Sequence, residues 1–115
     1  MSTVRTIPKP TWQSFFDTMA ESLTGKRVEI EAASLDVGDQ IVAKWVPLIG
    51  ISYDRHDDLV DVALAGLDHL IRQPSEIVIQ EGLQGVETIT VATADGVKQI
   101  LRLKDPLMLP ASQPH

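Results

Sequence analysis

The densest cluster of chemistry-bearing side chains is Asp54-Arg55-His56-Asp57-Asp58, with Asp61 and His69 following. Carboxylates and imidazoles ligate divalent cations, and a histidine near a carboxylate also suits acid–base work. If a hairpin turn joins Tyr53 to Leu59, then Asp54, His56 and Asp58 converge on one sheet edge. The spacing matches neither the D-x-[DN]-x-[DN]-G frame of an EF-hand nor the H-E-x-x-H of a zinc protease. Aspartate also dominates turns because its side chain bonds the local backbone. A solvated turn is therefore the stronger reading. No catalytic, cofactor or metal residue is assigned; Asp54, His56, Asp58 and His69 are the candidates should a site exist.

His69 lies between apolar neighbours in Leu67-Asp68-His69-Leu70-Ile71, which suggests a half-buried residue tying segment 66–74 to a sheet. Ser52 in Gly-Ile-Ser-Tyr-Asp lacks the second glycine of a G-x-S-x-G nucleophile elbow. Gly82-Leu83-Gln84-Gly85 has acidic flanks, Glu81 and Glu87, unlike a clamp for a nucleic-acid backbone. No G-x-G-x-x-G or phosphate loop occurs. Without cysteine, thiolate metal sites, cysteine nucleophiles and disulfides are excluded. Sixteen acidic residues against ten basic ones give a net charge of −6, which opposes binding to nucleic acid. Lys26-Arg27 and the stripe Lys98, Arg102, Lys104 are the only basic groupings. No apolar run reaches the roughly 18 residues of a membrane span, and residues 1–10 lack the apolar core of a secretory signal.

These residues need elements to hold them. Trp12, Phe15, Phe16, Met19, Ala20 and Leu23 recur at helical spacing, so a helix runs from a Thr11 cap to Gly25 and packs on a sheet. The period then drops to two: Val28, Ile30 and Ala32 alternate with charged residues. Further strands are expected at 40–46, at 48–53 as a third strand or a resumption after a bend at Pro47, and at 59–65, 76–81, 87–94 and 97–103. Segment 67–73 reads as one helical turn stopped by Pro74. Asp95-Gly96 signals a type I′ hairpin. No helix suitable for a parallel crossover lies between strands. The expected fold is α+β: one helix on a small, strongly bent, mainly antiparallel sheet or partial barrel, with Sm-like and SH3-like barrels as analogies. The expected division is an unanchored extended arm at 1–10, one domain at 11–104 and a proline-containing tail at 105–115. Leu107, Met108 and Leu109 in that tail should dock on the domain or on a second copy, so a homodimer is the expected assembly.

Trp12, Phe15 and Phe16, then Gly25-Lys26-Arg27-Val28-Glu29-Ile30-Glu31, Gly38-Asp39-Gln40, Pro47 to Asp54, and finally His69, Ile71, Pro74 and Ile77 resemble a family of short bacterial proteins known only as a domain of unknown function. The resemblance runs from Trp12 to about Leu109 and is most specific at 50–54 and 69–74. It implies a bacterial, cytoplasmic, single-domain protein and no activity. The functional expectation is a non-enzymatic accessory protein acting by protein contact or self-association, without cofactor, nucleic acid or membrane. The alternatives are a small metal-dependent or acid–base enzyme using Asp54, His56, Asp58 and His69, and an Sm-like RNA-binding oligomer using Lys98, Arg102 and Lys104.

Overall fold

A computed structural model describes residues 2–36, 38–83 and 85–105. Its strands are β1 (Thr3–Ile7), β2 (Arg27–Ser34), β3 (Gly38–Asp54), β4 (Leu59–Leu64), β5 (Leu67–Arg72), β6 (Pro74–Gly82), β7 (Gly85–Thr93) and β8 (Lys98–Lys104). A 3-10 turn at Lys9–Thr11 leads into α1 (Trp12–Leu23), the single α-helix among the described residues. The strands form one antiparallel sheet in the order β1-β6-β7-β8-β2-β3-β4-β5. Strands hold 66 % of the described residues and helix 15 %, so the protein is mainly β and not α+β.

Three local readings change with it. Thr3–Ile7 is extended but anchored: it lies against β6 from Thr3↔Glu81 to Ile7↔Ile77, with Arg5 and Glu81 ion-paired at 3.1 Å. Leu67–Arg72 is a strand, because Gly66 at φ 81° closes a tight connection that sets Leu67 opposite Leu64. The apolar residues at 67, 70 and 71 mimic helical spacing, but Ile71 faces the core while Leu67 and Leu70 are exposed. At Asp95-Gly96 only Gly96 has positive φ. Thr93 and Val97 pair across a three-residue loop, with Gly96 N–H donating to Thr93 O. That is a type I turn closed by a left-handed glycine, not a type I′ turn.

β3 organises the molecule. Its first part pairs with β2 as far as Pro47, and from Leu48 it pairs with β4. Proline has no N–H to give a ladder, and Trp45 adopts φ 53° just before it. The strand therefore changes partners there and continues as one 17-residue element. The resumed-strand reading of 40–53 is the one observed. α1 packs on β3 and buries Trp12, Phe16 and Leu23, with Phe15 and Met19 half-covered. Trp12 stands edge-on to Tyr53 at 5.1 Å, and its indole N–H donates to Ile7 O at 2.8 Å. Inward residues of every strand join these in one core, among them Val28, Ile30, Val60, Val62, Ile77, Ile79, Ile89, Val91 and Leu101. After α1, Gly25 turns the chain at φ 91° and donates its N–H to Leu48 O, fastening the helix end to β3.

Candidate functional site

The turn between β3 and β4 is built from its own side chains. Asp54 Oδ1 accepts the backbone N–H groups of His56 at 2.9 Å and Asp57 at 3.2 Å. This is the local bonding that makes aspartate a turn residue. Asp58 closes the turn at φ 51°, a left-handed conformation that aspartate adopts more readily than most residues. Its carbonyl accepts Gln73 N–H at 2.9 Å, tying the turn to the end of β5. Its carboxylate accepts the Tyr53 hydroxyl at 2.7 Å. Burial, then this carboxylate, push the Tyr53 phenol up to about 12. Tyr53 is thus a fixed hydrogen-bond donor across the ordinary pH range and not a base.

The candidate residues separate. His56 is 94 % exposed at the turn tip, with Nδ1 3.3 Å from Asp57 Oδ1. His69 lies along β5 opposite Val62, and its Nε2 sits 3.0 Å from Gln99 Oε1 on β8. Protonated at Nε2, it donates from the edge strand β5 to β8, which lies inside the strand order. The expected tie of segment 66–74 to the sheet is therefore real, and its partner is Gln99. Asp54 and Asp58 stay in the turn, so the four candidates do not form one cluster. Among the described residues no group of three or more His, Asp or Glu is placed to hold a metal ion. Asp61 instead meets Asp68 on the neighbouring strand. Burial first, then the Asp68 charge and hydrogen bond, raise the Asp61 carboxyl. Asp61 Oδ1 is buried and accepts no hydrogen bond among the described residues.

What the turn does form is a recess of about 400 Å³ between itself and the start of α1. Lys9, Pro10, Gln13, Tyr53, Arg55 and Asp58 line it. Lys9 Nζ stands 3.9 Å from Asp58 Oδ1 and 5.4 Å from the Trp12 ring centre. Lys9 and Gln13 escape sequence reasoning because the packing of α1 on β3, not local spacing, delivers them to the turn. Tyr53 and Arg55 carried a signal only as neighbours of the aspartates.

Two residues of the basic stripe, Arg102 and Lys104, are committed elsewhere. Arg102 Nη1 reaches Glu31 at 2.8 Å and Glu29 at 3.3 Å. Lys104 lies over the Trp45 ring at 4.8 Å, and Lys26 pairs with Asp105 at 3.3 Å. Beside Arg102, Glu31 shares a hydrogen bond with Asp39, which lowers the Glu31 carboxyl and raises that of Asp39. The tail residues Leu107, Met108 and Leu109 lie outside the described residues. Among the described residues no helix is long and apolar enough to cross a membrane.

A family model described as a family of unknown function, DUF5335, matches residues 3–112. An uncharacterised protein of Aquifex aeolicus (strain VF5) is 36 % identical over 107 residues, covering 92 % of this chain and 96 % of that protein. No solved structure matches.

Proposed function

This chain belongs to the family of unknown function DUF5335, and on that footing we propose that it is a non-enzymatic, cytoplasmic accessory protein that works by protein contact, first of all with a second copy of itself. The carrying observation is the open edge of β3. Residues 38–46 pair with β2 on one side, and among the described residues no strand pairs with the other side. Ile41 and Val42 on this stretch are 53 % and 40 % exposed. Unpaired N–H and C=O groups beside exposed β-branched side chains are a template for another strand. A two-fold axis lets two such edges satisfy each other in antiparallel register. Lys44 and Asp39 on the same edge, and the net charge of −6, oppose indiscriminate pairing. The separation of Asp54, His56 and Asp58 from His69 favours this reading over an acid–base enzyme. The commitment of Arg102 to Glu29 and Glu31 favours it over an RNA-binding oligomer.

Sedimentation equilibrium tests the proposal. The chain is expected to dimerise in the micromolar range, and Ile41→Lys with Val42→Lys to leave a monomer of unchanged melting temperature. A wild-type chain that stays monomeric at every concentration refutes self-association.

A further inference from the structure

The recess beside the β3–β4 turn holds a cation with nothing to hold on to. Arg55 is flanked in sequence by Asp54, Asp57 and Asp58, yet makes no hydrogen bond or ion pair among the described residues. Each of those aspartates is engaged elsewhere. Asp54 accepts the N–H groups of His56 and Asp57, Asp57 meets the His56 ring, and Asp58 accepts the Tyr53 hydroxyl. In a chain with sixteen acidic residues and ten basic ones, an arginine left over beside three carboxylates is a deviation from simple charge pairing. Lys9, on the opposite wall, lies over the Trp12 ring at 5.4 Å and has Asp58, at a loose 3.9 Å, as its ion partner. The Gln13 side chain, also in the wall, has no partner among the described residues.

We infer that this recess binds a small oxyanion group of low charge, a carboxylate or a phosphate monoester, held by Arg55 and Lys9 with the Gln13 amide as a further donor. A guanidinium presents paired N–H donors that match the two oxygens of either group. A cavity of about 400 Å³ is the size of a small-ligand site. Asp58 sets the charge limit. With two cations and one carboxylate in the wall, a carboxylate ligand neutralises the recess, a phosphate monoester at about −1.5 to −2 near pH 7 goes slightly past neutrality, and a polyanion meets Asp58. The Tyr53 hydroxyl donates its hydrogen bond to Asp58 and holds that carboxylate in place. A ligand carrying an N–H or O–H beside its oxyanion gains an acceptor there. The site is independent of the β3 edge, so either proposal can fail without the other.

Nuclear magnetic resonance titration of the full chain tests it. Sodium phosphate, sodium acetate and sodium pyrophosphate are added separately, against sodium chloride at matched ionic strength. The Arg55 side-chain N–H and the Gln13 amide are followed. Expected are saturable shifts confined to the neighbourhood of Lys9, Gln13, Arg55 and Asp58. Binding should weaken about tenfold in Arg55→Gln and several-fold in Lys9→Gln. Asp58→Asn, which keeps an acceptor for Tyr53 and tolerates the same backbone conformation, should tighten binding. Saturation by acetate alone identifies a carboxylate, and by phosphate alone a phosphate group. Shifts that match chloride, spread over the surface, or persist unchanged in Arg55→Gln overturn the site. Tighter binding of pyrophosphate than of phosphate overturns its charge limit. The spectrum of each variant shows directly whether it is folded.

Discussion

Asp61 and Asp68 place two carboxyls side by side on adjacent strands, and one Asp61 oxygen is buried without a hydrogen bond among the described residues. Asp61 holds its proton more tightly in the folded chain than in the unfolded one. Its stabilising contribution is therefore fully present below the ordinary value of 3.8 and is lost as pH rises through the raised folded value. Replacing Asp61 by asparagine removes the charge and leaves a donor for Asp68. Asp61→Asn is expected to gain about 0.2–1 kcal/mol near neutral pH, the scale of a cross-strand pair, and to lose that advantage in acid. Urea melts across pH check this; an equal effect at all pH values would contradict it. Tyr53 gives a second test. Asp58→Asn should bring its phenol titration, followed by ultraviolet absorbance, down from about 12 but not to the ordinary 10.0, because burial is the larger cause. The Asp54–Asp58 turn was legible in the sequence because aspartates bond their own backbone. The structural role of His69 was legible from its apolar neighbours. The recess was not, because Lys9 and Gln13 reach Tyr53 and Arg55 only through the docking of a helix.

Among the elements, α1 is defined by what it buries. Phe16 is fully buried and Phe15 only partly. Phe16→Ala is expected to cost about 3–5 kcal/mol and Phe15→Ala clearly less, measured by denaturant unfolding. Equal costs would mean that the helix sits differently on β3. Gly66 belongs to another class: a Cβ there meets nothing within 4 Å, so only its φ of 81° objects to a side chain. Gly66→Ala should cost about 1–2 kcal/mol without altering the native contacts. The helix, β2 and the β7–β8 hairpin follow from hydrophobic period, since each has one wet face. β5 does not. In Leu67-Asp68-His69-Leu70-Ile71 the apolar spacing fits a helix, and the deciding factor is hairpin pairing of every residue with β4. β1 carries a β-branched Thr-Val-x-Thr-Ile signature, but its strand character depends on β6, seventy residues later, and the prolines at 8 and 10 mask it.

For the molecule as a whole, the one shared core implies one cooperative unit. β1 contributes Ile7, which is buried and accepts the Trp12 indole N–H. A chain that starts at Pro8 should lose about 2–5 kcal/mol for the missing side chain, and more for the orphaned donor. Calorimetry of the shortened chain checks this; an unchanged transition would show β1 to be dispensable. The strand order has a further effect, on how the protein is made. β3, β4 and β5 each pair with the next in sequence, so this meander can assemble while the rest is still on the ribosome. β2 is different, for its second neighbour is β8, the last strand among the described residues. β1 likewise waits for β6. Until Lys104 has cleared the exit tunnel, β2 stands with one flank open and the helix covers an unfinished interior. A nascent chain of this protein therefore passes through a stage with a formed β3–β5 meander and a vacant slot beside β2. Pairing of β2 with β8 and of β1 with β6 is the later event, slow by the measure of its sequence-distant contacts, and the slot is where newly made chains are most exposed to exchanging strands with one another.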